Sequence, residues 1–132
     1  MMLRLVAVFS GGLVGTFLRV IVDLALPHAS PGEVSVSTVV VNTVGSFALG
    51  LVVAHFWLKP TTPEWVKLAV GPGLLASFTT LSAIALNVVG AVDEIRPVDG
   101  MLAFAGSLLC GLVAAWGGLR LGGRLHTKKV QS

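Results

Sequence analysis

The chain of 132 residues is 55% hydrophobic and 11% charged, with a mean hydropathy of +0.92. This composition excludes an ordinary soluble domain and predicts an integral membrane protein, because long apolar runs are typical of membrane spans. The formal net charge is +3, but the basic residues lie at the ends of apolar runs and form no patch interleaved with aromatic residues. No nucleic-acid partner is therefore expected.

Four apolar runs are long enough to cross a lipid bilayer, and the connections between them are short and polar. The runs extend over residues 3–26, 36–58, 65–89 and 101–121. At about 1.5 Å per residue in a helix, each covers a hydrocarbon core of about 30 Å. The first run is too long for a signal-peptide core, so it counts as a span. We expect one all-α integral membrane domain, residues 1–132, that crosses the cell membrane four times.

The first span combines small residues with a charge. Gly11 and Gly15 predict a face that another helix approaches closely, and Arg19 follows on the same face. A charge in the membrane is costly unless it is paired, faces a cavity or extends to the interface. Two interpretations stay open. Either Arg19 extends to the interface with Asp23, four residues on, as its partner, or Arg19 draws anions to a vestibule.

The second span contains an isolated amide, Asn42. A side-chain amide without a partner is expensive in lipid, so Asn42 should face the protein interior or water. Thr38, Gly45 and Ser46 share its face at helical spacing, which places donors beside small residues. Asn42 is either a hydrogen-bonding link between helices or part of an ion pathway.

The third span carries two glycines, one proline and four hydroxyl side chains within residues 71–82. Irregular backbone at membrane depth is tolerated only where protein or a cavity surrounds it, and unwound carbonyls can hold cations. This stretch therefore predicts a broken third helix in an ion-handling protein. The alternative is a continuous helix with small residues at its interface.

The fourth span offers one hydroxyl, Ser107, in an otherwise apolar and small-residue sequence. The three histidines have no metal-ligand spacing, and no Ser-His-Asp set is present. The single cysteine, Cys110, excludes an internal disulfide. An enzyme is therefore not expected.

The order of three motifs resembles the Fluc family of small fluoride channels, also called CrcB. They are Gly-Gly-x-x-Gly-x-x-x-Arg at 11–19, Val-Asn-x-x-Gly-Ser-Phe-x-x-Gly at 41–50 and Gly-x-x-x-x-x-Thr-Thr-x-Ser at 73–82. The resemblance implies an antiparallel dimer of four-span subunits with two pores. It also implies passive efflux of toxic cytoplasmic fluoride through a fluoride-selective channel.

Carried over by position, the resemblance implies a set of site residues. The fluoride pore would be lined by Thr38, Asn42, Ser46, Thr80, Leu81, Ser82, Ile84 and Ser107. Arg19 matches the vestibule arginine. A structural Na⁺ at the dimer centre would be held by the backbone carbonyls of Ala76 and Thr79 from each subunit. The family usually has Gly where Ala76 stands, which Ala can replace where its backbone angles are allowed.

Several positions depart from the family pattern. Leu81 and Ile84 stand where the family has phenylalanines, whose positive ring edges face the anion. Asn87 stands where the family usually has Glu, and Ala103 and Gly111 occupy Tyr and Ser positions of the fourth span. These departures leave open a non-conducting structural subunit whose partner supplies the working pore residues.

The basic residues are distributed unequally between the two membrane faces. One face holds both termini and the middle loop, with Arg4, Lys59, Lys67, Arg120, Arg124, Lys128 and Lys129. The opposite face has only Arg96, apart from Arg19 within a span. The positive-inside rule then places both termini in the cytoplasm.

This bias bears on the partner of the chain. A homodimer with one subunit inverted needs a sequence with little bias, because one chain must insert both ways. A heterodimer with an oppositely oriented, related subunit is therefore favoured over a homodimer. A small four-span drug/proton exporter is the other alternative, but its first span would need an embedded carboxylate. The only acid there is Asp23, close to the end of the span.

Overall fold

A computed structural model describes residues 1–26, 35–57, 59–93 and 97–130. Its helices are α1 (Met2–Ala25), α2 (Val36–Val52), α3 (Glu64–Leu68), α4 (Ala76–Phe78), α5 (Ser82–Asp93) and α6 (Pro97–Val130). Two π-helical segments extend them, Val53–Trp57 after α2 and Ala69–Leu75 between α3 and α4. The predicted connection after the first span lies outside the described residues.

Four helical stretches are long and apolar enough to cross a membrane, which confirms the prediction of an all-α, four-span protein. They are Met2–Ala25, Val36–Trp57, Glu64–Asp93 and Pro97–Arg124. Large apolar side chains such as Phe9, Leu86 and Leu112 are exposed on their outer surfaces. Lipid tails are as apolar as leucine, so this exposure suits a protein surrounded by a bilayer.

The helices pack in two pairs, with α2 along α6 and α1 along the second π-helical segment. In the first pair, Gly50 lies against the carbonyl of Ala115, and Gly118 lies against the carbonyl of Phe47. A Cβ atom at either glycine would collide with the facing backbone. Such close backbone approach is typical of membrane helices, whose association depends on packing and not on burial of apolar surface from water.

The predicted small-residue face of the first span is confirmed. Gly11 lies against the carbonyl of Ala69, and Gly15 lies against the carbonyl of Leu74. Both partners belong to the second π-helical segment, so α1 supports the first half of the third span from one side.

The third span is non-helical between α4 and α5, at residues 79–81 (the α4–α5 interval). Thr79 has extended backbone angles, φ −82° and ψ 156°. Gly71, Pro72 and Gly73 lie earlier, inside the second π-helical segment. The residues with the strongest helix-breaking chemistry are thus accommodated by a wider turn, and the extended backbone comes after them.

The side chain of Asn42 holds the α4–α5 interval. Its Nδ2 donates to the carbonyl of Thr80 at 2.7 Å, and its Oδ1 accepts from the backbone N–H of Thr80, also at 2.7 Å. Asn42 is only 9% exposed. One amide therefore satisfies both backbone groups of a residue that has left the helix, and Asn42 links the second span to the third.

Two threonine hydroxyls complete the local hydrogen bonding. The hydroxyl and the backbone N–H of Thr79 both donate to the carbonyl of Leu75, at 2.9 and 3.0 Å. The hydroxyl of Thr80 accepts from the backbone N–H of Ala83 at 3.3 Å, which satisfies one of the donors in the first turn of α5. Thr79 thus closes the helix before the interval, and Thr80 opens the helix after it.

The packing of α6 on α2 gives a first prediction. Gly118→Ala should lower the free energy of unfolding by about 1–3 kcal/mol, because overpacking forces the backbones apart. Gly106→Ala is the matched control, since nothing lies within 4 Å of a Cβ built there. It should be neutral or stabilising by up to about 1 kcal/mol, because Ala favours a helix more than Gly does. Chemical unfolding in mixed micelles measures both, and equal losses would contradict this packing.

The contact between Asn42 and Thr80 gives a second prediction. Asn42→Ala should lower the free energy of unfolding by about 2–4 kcal/mol, because two part-buried backbone groups of Thr80 lose their partners, at up to about 1–3 kcal/mol each. The amide of Thr80 should also exchange its hydrogen with solvent faster. Thr43→Ala, at the neighbouring position of α2, is the control and should leave Thr80 protected. Unchanged stability and exchange in Asn42→Ala would show that Thr80 does not depend on this side chain.

Candidate functional site

A groove of about 760 Å³ lies between the second, third and fourth spans. Its polar lining is concentrated near the α4–α5 interval and comprises Asn42, Ser46, Thr79, Thr80 and Ser107. Toward the other end its lining is apolar, with Leu49, Val53, Trp57, Pro72 and Leu75 among the residues. The groove therefore has hydrogen-bonding groups at one end and apolar side chains at the other.

Ser107 on α6 carries a buried hydroxyl that borders the groove. Its side chain is 5% exposed, and its Oγ makes no hydrogen bond with the described residues. A buried polar group that lacks a partner costs about 1–3 kcal/mol, so its retention calls for an explanation. A ligand that accepts a hydrogen bond would remove this cost.

Asn42 contributes a second free donor to the same groove. Its amide nitrogen carries two hydrogens, and the bond to the carbonyl of Thr80 uses one of them. The hydroxyls of Thr80 and Ser82 are less available, because they bond each other at 2.9 Å. The groove thus offers an amide N–H on α2 and a hydroxyl on α6.

The structure brings together six of the eight predicted pore residues. The groove is lined by Asn42, Ser46, Thr80, Leu81, Ile84 and Ser107. The other two lie elsewhere: the side chain of Ser82 is exposed and outside this lining, and Thr38 borders small recesses beside the groove.

The two aliphatic pore positions differ in their surroundings. Leu81 is 60% exposed within the α4–α5 interval, whereas Ile84 on α5 is 6% exposed. Ile84 also borders a recess of about 10 Å³ that contains Thr38, Ala103 and Ser107. The side chain of Asn87 lies outside the described part of the chain.

The residues that line the apolar end of the groove were not predicted. Leu49, Val53 and Trp57 extend the face of Asn42 and Ser46 at helical spacing. Continuing that periodicity along the second span would have found them.

A second recess, of about 10 Å³, lies at the end of α1. It is lined by Arg19, Asp23, Ser37, Thr38, Val41 and Thr80. No ion pair joins Arg19 to Asp23 in the described part of the chain, where the ion pair found is Arg4–Glu64. The carboxylate of Asp23 instead accepts from the hydroxyl of Ser37 at 2.6 Å. Arg19 therefore faces a polar recess that borders Thr80.

Two backbone carbonyls of the third span are left without helical donors. In a continuous helix the N–H of Thr80 would bond the carbonyl of Ala76, but it bonds Asn42. The N–H of Ala83 would likewise bond the carbonyl of Thr79, but it bonds the hydroxyl of Thr80. Ala76 has ordinary helical angles, φ −68° and ψ −30°, so no glycine is required there.

These carbonyls are the oxygen ligands that a cation could use at this site. Within residues 1–26, 35–57, 59–93 and 97–130, no three His, Cys, Asp or Glu side chains are grouped to hold a metal ion. The carbonyls of Ala76 and Thr79, which these two N–H groups do not bond, are neutral oxygens of the kind that an alkali cation binds.

Sequence comparison relates this chain to a family of membrane proteins and to curated ion channels. Residues 6–119 match the family described as CrcB-like protein, Camphor Resistance (CrcB). The chain is 33% identical over 112 residues to "Fluoride-specific ion channel FluC 2" of Geobacillus kaustophilus (strain HTA426), covering 85% of this chain and 87% of the relative. It is 39% identical over 102 residues to "Fluoride-specific ion channel FluC 1" of Yersinia pestis, covering 76% and 75%.

A third relative, "Fluoride-specific ion channel FluC 2" of Leifsonia xyli subsp. xyli (strain CTCB07), is 31% identical over 125 residues, with 92% and 85% covered. The relatives are named as ion channels, which confirms that the chain belongs with transport proteins and not with enzymes. The matched residues include all three motifs and run through all four spans. The chain is therefore a member of the CrcB family of multi-pass membrane proteins, whose curated relatives are named fluoride-specific ion channels.

Proposed function

We propose that this chain is a subunit of a fluoride-selective channel through which cytoplasmic fluoride leaves the cell passively. The names of the curated relatives support the ion, since they are called fluoride-specific. The observation that carries the proposal is the buried hydroxyl of Ser107, which has no hydrogen-bond partner among the described residues and lies in the groove that Asn42 also lines.

Fluoride is small and strongly hydrated, so a pathway must replace its water with hydrogen-bond donors. The second N–H of Asn42 and the hydroxyl of Ser107 are such donors, and a narrow track between them would reject larger halides. Leu81 and Ile84 supply apolar walls but no aromatic edges. A pore lined by this subunit alone would therefore hold fluoride less strongly than one that includes phenylalanines.

The assembled channel is an antiparallel dimer with two pores, in which the α4–α5 interval is the break of the third helix. Lipid cannot satisfy non-helical backbone at membrane depth, so a second subunit covering the open groove accounts for the extended residues. The distribution of Lys and Arg supports cytoplasmic termini and a related partner of opposite orientation. In Leifsonia xyli, proteins named FluC 1 and FluC 2 are both similar to this chain.

A second candidate function is a structural subunit that does not conduct. The aliphatic side chains of Leu81 and Ile84 favour it, because they line the groove where a ring edge would attract the anion. In that case the partner supplies the residues of the conducting pore, and this chain contributes only helices that pack against the partner.

A structural Na⁺ at the dimer centre is the remaining part of the proposal. It would be held by the carbonyls of Ala76 and Thr79 from both subunits, which gives four oxygens. The diversion of the donors from Thr80 and Ala83 supports this assignment, because it leaves those carbonyls available. When bound, the ion would neutralise carbonyl dipoles that converge from two subunits.

The channel proposal is tested with fluoride efflux from liposomes. Ser107→Ala removes a donor without breaking a protein hydrogen bond, so stability should be unchanged or higher. Efflux should fall about tenfold or more, because a hydrogen bond to a charged group contributes about 1.5–3 kcal/mol. Efflux equal to wild type would remove Ser107 from the fluoride path.

The same preparations test the partnership. The chain alone should insert in one orientation, as read by a terminal reporter accessible from one side, and should conduct poorly. Co-reconstitution with an oppositely biased relative should restore efflux. Asn42→Ala should abolish efflux in the pair. Equal orientations with strong efflux from this chain alone would establish a homodimer.

If Na⁺ binds at the dimer centre, the thermal stability of the protein should depend on which cation is present. A bound ligand stabilises the folded state by about 2.7 kcal/mol at a hundredfold excess over its Kd, so the Tm should be higher in sodium than in N-methylglucamine. Asn42→Ala should lose this difference, because the two hydrogen bonds that fix Thr80 beside these carbonyls are removed. Equal wild-type Tm values in the two salts would remove the site.

A further inference from the structure

Asp23 is a charged residue that the proposed pathway does not use. It lies two residues before the end of α1, and its side chain is exposed. Its carboxylate accepts a hydrogen bond of 2.6 Å from Ser37, which is 3% exposed at the start of α2. The hydroxyl of Ser37 is in turn 2.7 Å from that of Ser35. The carboxylate is therefore fixed between two spans.

The position of Asp23 relates it to the proposed anion vestibule. Asp23 and Arg19 line the same small recess, together with Thr38 and Thr80. Thr80 also lines the groove, so the recess and the groove lie on either side of one residue of the α4–α5 interval. The recess is about 10 Å³, which is enough for one water molecule or an ion of similar size.

The recess lined by Arg19 and Asp23 is called the mouth below. Its two opposite charges have opposite effects on an approaching anion: Arg19 attracts it and Asp23 repels it. Residues four apart on a helix have Cβ atoms about 5–6 Å apart, so the fields of Arg19 and Asp23 overlap in the recess. The hydrogen bond from Ser37 holds the carboxylate there. In the described part of the chain, Asp23 is therefore held by Ser37 and not by an ion pair with Arg19, so the guanidinium of Arg19 is not drawn away from the recess.

We propose that Asp23 offsets the charge of Arg19 at this mouth and so limits how strongly the vestibule attracts anions. The proposal rests on the fluoride channel function and adds a residue that determines how readily anions occupy this mouth. A unit charge about 6 Å away in water changes the local concentration of a monovalent ion about threefold. Removing the charge of Asp23 should therefore increase anion occupancy by about that factor.

The test measures the charge of the mouth separately from conduction. Two hydrogen bonds in series join Ser35 to Asp23, so a thiol at position 35 would lie close to the carboxylate. Ser35→Cys is introduced in a Cys110→Ser background, which removes the exposed native thiol. Its modification rates are then measured with an anionic and a cationic methanethiosulfonate reagent of similar size.

Asp23→Asn keeps an oxygen that accepts from Ser37 and removes the charge. It should raise the rate with the anionic reagent about threefold and lower the rate with the cationic reagent about threefold. Both changes should shrink near 1 M salt, where the screening length falls to about 3 Å. Asp93→Asn is the matched control. It removes an acid from the same membrane face, at the end of α5 and outside the lining of the recess, and should leave the rates within about twofold.

Fluoride efflux, from the chain alone and with its relative, completes the test. Asp23→Asn should raise efflux about two- to threefold at low salt, whereas Asp93→Asn should match wild type. Unchanged modification rates in Asp23→Asn would overturn the proposal, and so would changed rates with unchanged efflux in a conducting wild type. A wild type that conducts in neither preparation overturns the channel function, and the modification rates then still decide whether Asp23 sets the charge of this mouth.

Discussion

The two hydrogen bonds between the Asn42 side chain and the Thr80 backbone determine the arrangement of the candidate site. They satisfy a residue that has left the helix, within a protein where lipid offers no substitute partner. The same bonds withdraw the N–H of Thr80 from the carbonyl of Ala76. They also fix Thr80 between the groove and the recess that contains Arg19. One amide therefore determines the backbone conformation at Thr80, beside both the groove and the recess.

The sequence predicted the features that depend on composition and local spacing. Four apolar runs of sufficient length gave the number of spans, because a bilayer sets the length of an apolar helix. Gly11 and Gly15 marked a face of close approach, since only small residues permit it. The ends of the spans were less accurate: α5 continues to Asp93 and α6 begins at Pro97. A helix can extend beyond the hydrocarbon core into water, where apolar periodicity no longer identifies it.

The position of the non-helical residues could not be derived from neighbouring sequence alone. Gly71, Pro72 and Gly73 have the strongest local tendency to end a helix, yet they lie in a π-helical segment. The extended residue Thr79 follows them, beside a residue bonded by an amide 38 positions earlier. A long-range contact thus overrides local preference. The hydrogen bond from Ser37 to Asp23 was not predicted either, because it joins residues of two different spans, 14 positions apart.

The separation between Asn42 and Thr80 has a consequence for biosynthesis. At about 5–20 residues per second, a ribosome makes Thr80 about 2–8 seconds after Asn42. During that time the side chain of Asn42 cannot yet bond the backbone of Thr80. The third span can meanwhile enter the bilayer as a continuous helix, in which Ala76 accepts the N–H of Thr80. When the second and third spans meet, one acceptor replaces another and the chain unwinds locally. The irregular segment can therefore arise inside the membrane by exchange of hydrogen bonds, with no need to insert unsatisfied backbone.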